Sequence, residues 1–137
     1  MGFDVKVLLD EASRRTGGLT DFGDAAFRPA LEHLLACLDR EGGLSAIGRE
    51  MLTARIVELL KNRLVLEDYI RRYPDILDEC NDDPIVIVGL PRTGTTLLQR
   101  ILSCDPRFYP MLWWEARYPA PSQVEASTGE DPRVALA

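Results

Sequence analysis

The residues best suited to chemistry lie around two glycines, Gly89 and Gly94, which have the G-x-x-x-x-G spacing of a phosphate-binding loop. The four β-branched residues 85–88 precede the loop, and helical spacing of apolar residues resumes after it at Leu97. The backbone N–H groups of such a loop, together with the positive end of the following helix, bind phosphate. The sequence therefore predicts an anion site between a strand and a helix.

The loop differs from a Walker A loop in its last residues. Thr95 and Thr96 stand where a Walker A loop has lysine followed by serine or threonine. That lysine normally reaches the β- and γ-phosphates, so its absence argues against an ATP or GTP hydrolase. A cation appears inside the loop instead, at Arg92. Its planar guanidinium can bind a phosphate while the threonine hydroxyls and backbone amides hold the remaining oxygens.

The charge distribution agrees with a small anionic ligand. The chain has 137 residues, a formal net charge of -6 and a pI near 4.8, which argues against a broad nucleic-acid or anionic-membrane surface. Residues 85–120 nevertheless contain four arginines and two acidic residues. Their net charge is +2, so the rest of the chain carries -8. The one basic window therefore surrounds the predicted anion site.

Helices are expected on the N-terminal side of the loop, because apolar residues recur there at helical spacing. The three main segments begin at Val5, at an N-cap on Asp24 and at Ser45, and they end at glycines 17–18, at glycines 42–43 and at Pro74. Residues 1–80 are therefore predicted to form a helical region that packs on another part of the protein or on a partner subunit. In the second case the protein would be a homo-oligomer. Turn residues open the second region, 81–137.

The second region is expected to be an incomplete α/β domain. Residues 85–88 show no polar alternation, which is typical of a strand buried on both faces of a parallel sheet. Such a strand needs neighbours to pair its backbone groups, and the sequence offers one convincing strand. Asp131 and Pro132 also start a helical pattern just before the sequence ends. We therefore expect a fragment with little activity alone.

The loop and its flanks, Pro84 to Leu98, resemble the 5′-phosphosulfate-binding loop of the sulfotransferase family, in the form typical of a bacterial branch. Other segments also resemble that branch: residues 19–24, Phe27 with Arg28, residues 62–64, and Trp114 with Glu115. The resemblance implies a P-loop-like three-layer α/β/α fold. The chain would contain the N-terminal helical cap and the first strand, loop and helix of that fold.

The resemblance also implies the ligand and the reaction. The donor would be 3′-phosphoadenylyl sulfate (PAPS), used without a metal, and its sulfuryl group would pass to a hydroxyl or amine of an unidentified small-molecule acceptor. The residues implied to bind its 5′-phosphosulfate are Arg92, Thr93, Gly94, Thr95 and Thr96. Two alternatives remain: a nucleotide-binding phosphotransferase with a degenerate P-loop, and a non-enzymatic helical interaction module.

Sulfuryl transfer requires stabilisation of the leaving phosphate and a base for the acceptor proton. Arg92 is the candidate for the first role. Histidine is nearly excluded from the second, since the one histidine, His33, lies on a leucine-rich segment beside the predicted core. Glu115 is the better candidate for the base, and a catalytic glutamate shortly after the loop helix is also a feature of the similar tyrosylprotein sulfotransferases.

Two roles remain open for Glu115. Trp113 and Trp114 beside it would lower the local polarity and raise its pKa toward the working pH of a general base. Alternatively, its carboxylate pairs with an arginine such as Arg117 or Arg100 and orients the aromatic segment around it.

The expected compartment is the cytoplasm. Cys37, Cys80 and Cys104 are far apart and odd in number, which indicates reduced, mostly buried thiols instead of a disulfide framework. The N-terminus does not resemble a secretory signal, and no apolar run approaches the ~18 residues of a membrane span. No zinc-ligand spacing is present, and neither nucleic acid nor membrane is expected as a partner.

Overall fold

The structure is a computed structural model that describes residues 2–80, 83–121 and 131–136. Its helices are α1 (Val5–Arg15), α2 (Phe27–Glu41), α3 (Ala46–Arg72), α4 (Thr95–Leu102) and α5 (Trp113–Arg117), with 3₁₀ turns at Pro74–Asp78 and Val134–Leu136. The chain divides into two compact units, Met1–Leu77 and Asp78–Ala137. The expected start of the second region, at residue 81, lies outside the described residues, and its identity as an α/β domain stays a prediction.

The helices of the first unit begin where short polar side chains satisfy their free N–H groups. The Asp4 carboxylate accepts hydrogen bonds from the amides of Lys6 and Val7, at 2.8 and 3.3 Å, before α1. Ser45 Oγ accepts from the Gly48 amide at 3.1 Å before α3, as the sequence predicts. The prediction for Asp24 was wrong, because this carboxylate accepts from the Ala26 amide and α2 begins at Phe27.

The core of the first unit lies mainly between α1 and α3. Their buried apolar residues, together with Phe22 and Leu35, are Leu8, Leu9, Ala12, Ile56, Val57, Leu60 and Leu64. Leu35 is the one residue of α2 in this buried set, whereas Leu34 is 48% exposed. Helix α2 therefore contributes fewer buried residues to the core than α1 and α3.

Arg63 holds the connection between α1 and α2. Its Nε donates a hydrogen bond to the Phe22 carbonyl, and its Nη2 donates to the Asp24 carbonyl at 2.9 Å. Its guanidinium also lies 4.5 Å from the ring centroid of Phe27. Two segments that are distant in sequence, residues 19–24 and 62–64, therefore meet around one arginine.

The predicted strand at residues 85–88 is not formed among the described residues, where no strand occurs. Ile85, Val86 and Val88 are 60%, 74% and 87% exposed, so the expected burial on both faces is also absent. A strand exists through ladder hydrogen bonds to a neighbour, and the described part of the chain supplies no second extended partner. The segment therefore leads to α4 without sheet pairing.

The aromatic and proline-rich sequence of residues 108–121 predicts an ordered loop, but these residues contain α5. The helical pattern expected from Asp131 appears as a 3₁₀ turn at Val134–Leu136. The Asp131 carboxylate accepts a hydrogen bond from the Arg133 amide at 2.9 Å, as an N-terminal cap would. The polar residues 122–129 lie outside the described residues.

Candidate anion site at the start of helix α4

The loop before α4 presents free backbone amides to the solvent. Gly94 has a φ of 87° and is the N-cap of α4, and no side chain caps the helix. The first backbone hydrogen bond of the helix runs from the Leu98 amide to the Gly94 carbonyl at 3.0 Å. Among the described residues, the amides of Thr95, Thr96 and Leu97 have no acceptor. An uncapped helix start of this kind binds anions through its N–H groups and its dipole.

An open concavity of about 460 Å³ lies at this helix start. Its lining residues are Arg92, Gly94, Thr95, Thr96, Leu97 and Arg100. Four of the five residues implied to bind the donor therefore lie together. Thr93 does not line the concavity, because its Oγ1 donates to the Leu90 carbonyl at 2.6 Å and closes the turn. Arg100 was not predicted, although its position one helical turn after Thr96 could have indicated it.

The two arginines of the concavity are available for an anion. Among the described residues, neither the Arg92 nor the Arg100 guanidinium forms an ion pair or hydrogen bond, whereas Arg107 is paired with Asp105 at 2.6 Å. Arg92 also has a φ of 67°, a conformation that is rare outside glycine and concentrated at functional sites. Two unpaired cations and a helix N-terminus thus converge on one concavity.

Residue 89 must be glycine because the side chains of Thr93 and Thr95 lie close to its Cα. A Cβ at this position would lie 2.7 Å from Thr93 Oγ1 and 2.8 Å from Thr95 Cγ2. Both distances are shorter than packed atoms tolerate, and Thr93 is already held by its hydrogen bond to Leu90. A side chain at residue 89 would therefore displace the loop.

Gly89→Ala should consequently damage the site without unfolding the chain. Overpacking by one methyl costs about 1–3 kcal/mol, so affinity for a phosphate ligand should fall at least about fivefold. Gly48→Ala is the matched control, because its Cβ meets the Ser45 Oγ at 3.3 Å in the first turn of α3. Calorimetric titration with adenosine 3′,5′-bisphosphate compares the two variants, and circular dichroism checks their helix content. If Gly89→Ala bound adenosine 3′,5′-bisphosphate as tightly as wild type, the close packing of residue 89 against Thr93 and Thr95 would not matter for the site.

Glu115 is bound at both carboxylate oxygens. Oε2 accepts a hydrogen bond from the Leu112 amide at 2.7 Å, and Oε1 accepts one from the Tyr109 hydroxyl. The Tyr109 hydroxyl, followed by the Leu112 amide, lowers the pKa of Glu115 below its usual range. The expectation that the neighbouring tryptophans raise this pKa was wrong, because these two hydrogen bonds lower it by more than burial raises it.

The position of Glu115 fits the structural role at least as well as the catalytic one. It lies in the first turn of α5, where its bond to the Leu112 amide caps the helix. It does not line the concavity around Arg92. The segment before α5 is nevertheless tied to α4, because Gln99 Nε2 donates to the Met111 carbonyl at 3.2 Å. Helix α4 therefore helps to position both the loop and the segment that leads to Glu115.

Residues 84–135 match the sequence model of the sulfotransferase family. The crystal structure of a sulfotransferase from Mycobacterium tuberculosis matches the chain with a TM-score of 0.85 and 32% sequence identity, over 98% of this chain. Residues 84–135 of the chain belong to the sulfotransferase family. It spans 37% of the length of the mycobacterial sulfotransferase, whose fold is α/β. The comparison with curated proteins gives no match.

The remaining candidates are not among the residues that line this concavity. His33 is exposed on α2, with Nε2 3.6 Å from Cys37 Sγ. The three cysteines are free, but Cys80 and Cys104 are exposed, so the expected burial was wrong. Within the described ranges, no group of acidic, histidine or cysteine side chains could hold a metal ion. The described helices also include none that is long and apolar enough to span a membrane.

Proposed function

We propose that this sulfotransferase-family chain binds the 5′-phosphosulfate end of PAPS in the concavity at the start of α4. The observation that carries the proposal is the convergence of Arg92, Arg100 and the free amides of residues 95–97 on one uncapped helix start. A dianionic phosphate suits this arrangement, because the amides, hydroxyls and guanidinium groups are all donors. Thr95 and Thr96 stand where a Walker A loop has lysine and serine or threonine, and their hydroxyls would donate hydrogen bonds to the phosphosulfate oxygens.

The proposed reaction is transfer of the sulfuryl group to a hydroxyl or amine acceptor. The acceptor oxygen or nitrogen forms a bond to sulfur while the bond between sulfur and the 5′-phosphate oxygen breaks. The electron pair of the broken bond goes to the phosphate, where Arg92 stabilises the growing negative charge. The acceptor proton goes to the Glu115 carboxylate, which is ionised but, because its pKa is lowered, is a weaker base than an ordinary glutamate. These residues carry out the steps without a metal.

The proposal also includes the fold around residues 85–88, the cellular compartment and the oligomeric state. Residues 85–88 would be a strand of a P-loop-like three-layer α/β/α arrangement, with the helical region 1–80 as its cap. The proposed location is the cytoplasm, which the three free cysteines favour. Homo-oligomerisation through the N-terminal helices stays a prediction.

Calorimetry with two ligands tests the proposed donor class. Adenosine 3′,5′-bisphosphate is what remains of the donor after sulfuryl transfer. It should bind the chain without magnesium, and its affinity should fall at high salt because salt screens the charges. ATP with magnesium is the comparison, because a phosphotransferase with a degenerate P-loop should prefer it. Preference for magnesium-ATP would replace the proposal with that alternative. Binding of neither ligand would favour a helical interaction module.

A further inference from the structure

Tyr109 is an exposed tyrosine whose hydroxyl is engaged. Its side chain is 79% exposed, yet its hydroxyl donates a hydrogen bond to Glu115 Oε1. The ring therefore gains little from packing, and its contact with Glu115 is polar. Tyr109 lies in the segment between α4 and α5, which Gln99 ties to α4 through the Met111 carbonyl.

We propose that Tyr109 is a positioning residue that acts through Glu115, holding Oε1 in place as the Leu112 amide holds Oε2. The inference rests on the proposed role of Glu115 as the base for sulfuryl transfer. Each carboxylate oxygen can accept two hydrogen bonds, so Tyr109 uses one site on Oε1 and leaves the other for an acceptor hydroxyl. Tyr109 would thereby fix the direction from which the acceptor presents its proton.

Tyr109 has a larger effect on the pKa of Glu115 than the charged groups that face it. Arg133 lies near enough to lower the pKa of Glu115, and Asp131 raises it. Arg133 is itself ion-paired with Asp131 at 2.7 Å and donates to the Tyr118 carbonyl at 3.0 Å. These two charges therefore act in opposite directions on the pKa of Glu115, and both rank below the two hydrogen bonds. Hydrogen bonds from neutral donors, with Tyr109 first, keep the carboxylate ionised.

Tyr109→Phe removes the hydroxyl and keeps the ring. The pKa of Glu115, followed by carbon-13 NMR of labelled glutamate, should rise relative to wild type, because the ionised form loses a donor. Tyr118→Phe is the matched control, since that hydroxyl donates to the Leu136 carbonyl at 3.0 Å in the same unit. It should leave the Glu115 pKa unchanged. An unchanged pKa in Tyr109→Phe, or an equal rise in both variants, would overturn the proposal.

A reciprocal measurement guards against a general loss of structure. Glu115 raises the pKa of Tyr109, because a phenolate would face the carboxylate and lose the hydrogen bond. Glu115→Gln should therefore lower the Tyr109 pKa, measured from the ring carbon shifts, while the amide spectrum shows that the fold persists. An unchanged Tyr109 pKa would also overturn the positioning role.

The proposed function is tested separately on the wild-type chain. Adenosine 3′,5′-bisphosphate binds at the concavity, which neither Tyr109 nor Glu115 lines. Failure of that binding, with the pKa responses as expected, would overturn the donor assignment and with it the catalytic meaning of the Tyr109 contact. Normal binding with no pKa response would overturn the positioning role alone.

Discussion

Replacing Arg92 by alanine should weaken binding of adenosine 3′,5′-bisphosphate by roughly 10- to 150-fold. Arg92 lines the concavity without an ion pair among the described residues, and each hydrogen bond to a charged group contributes about 1.5–3 kcal/mol. Since no carboxylate in the described part of the chain loses a partner on substitution, the loss should appear in binding and leave stability nearly unchanged. Calorimetric titration of wild type and variant at equal salt measures the ratio directly.

Arg107→Ala is the matched control for that experiment. It removes the same charge from the same unit, but Arg107 is 81% exposed at its side chain, pairs with Asp105 and does not line the concavity. Its affinity should stay close to that of wild type, because an exposed pair contributes about 0–1 kcal/mol. Equal losses in the two variants would mean that the ligand responds to net charge, and the specific role of Arg92 would be wrong.

Leu64→Ala should cause the largest loss of stability in the first unit. Leu64 is fully buried, at 0% exposure, and belongs to the core between α1 and α3. Truncation of a buried leucine removes apolar contacts and leaves a cavity, which typically costs about 2–5 kcal/mol. Urea unfolding followed by circular dichroism should show this decrease in the free energy of unfolding.

Met51→Ala on the same helix is the control for Leu64→Ala. Met51 is 69% exposed, and exposed substitutions usually change stability by about 0.5 kcal/mol or less. A comparable loss in both variants would contradict the assignment of the core to the α1–α3 interface. A loss confined to Leu64→Ala would support it.

Helix ends and the anion loop could be predicted because their causes are local. Ser45 caps its own helix through the amide three residues on, and Gly94 supplies the left-handed turn before α4. Spacing along α3 predicts a buried stripe that includes Leu64, but Ile47, Met51 and Leu59 of the same stripe are exposed. Asp24 shows the limit of this approach, since its carboxylate stabilises a turn instead of the helix start.

The strand and the hydrogen bonds of Glu115 depend on partner residues that apolar spacing does not reveal. Residues 85–88 have strand composition, but a strand also requires a neighbouring segment, which the described residues lack. The pKa of Glu115 moves down because a tyrosine six residues earlier donates to it. The adjacent tryptophans suggested the opposite direction because a sequence does not show which donors reach the carboxylate. Arg100 was missed although the predicted helix already places it one turn after Thr96.

The central claim is that the start of α4 is a phosphate site for the sulfuryl donor. An NMR titration of the nitrogen-15-labelled chain with adenosine 3′,5′-bisphosphate tests it most directly. We expect the largest shifts at the amides of Thr95, Thr96 and Leu97 and at the Arg92 side-chain Nε, with saturation in the absence of magnesium. Saturable shifts located away from these groups, or no shifts at all, would contradict the claim.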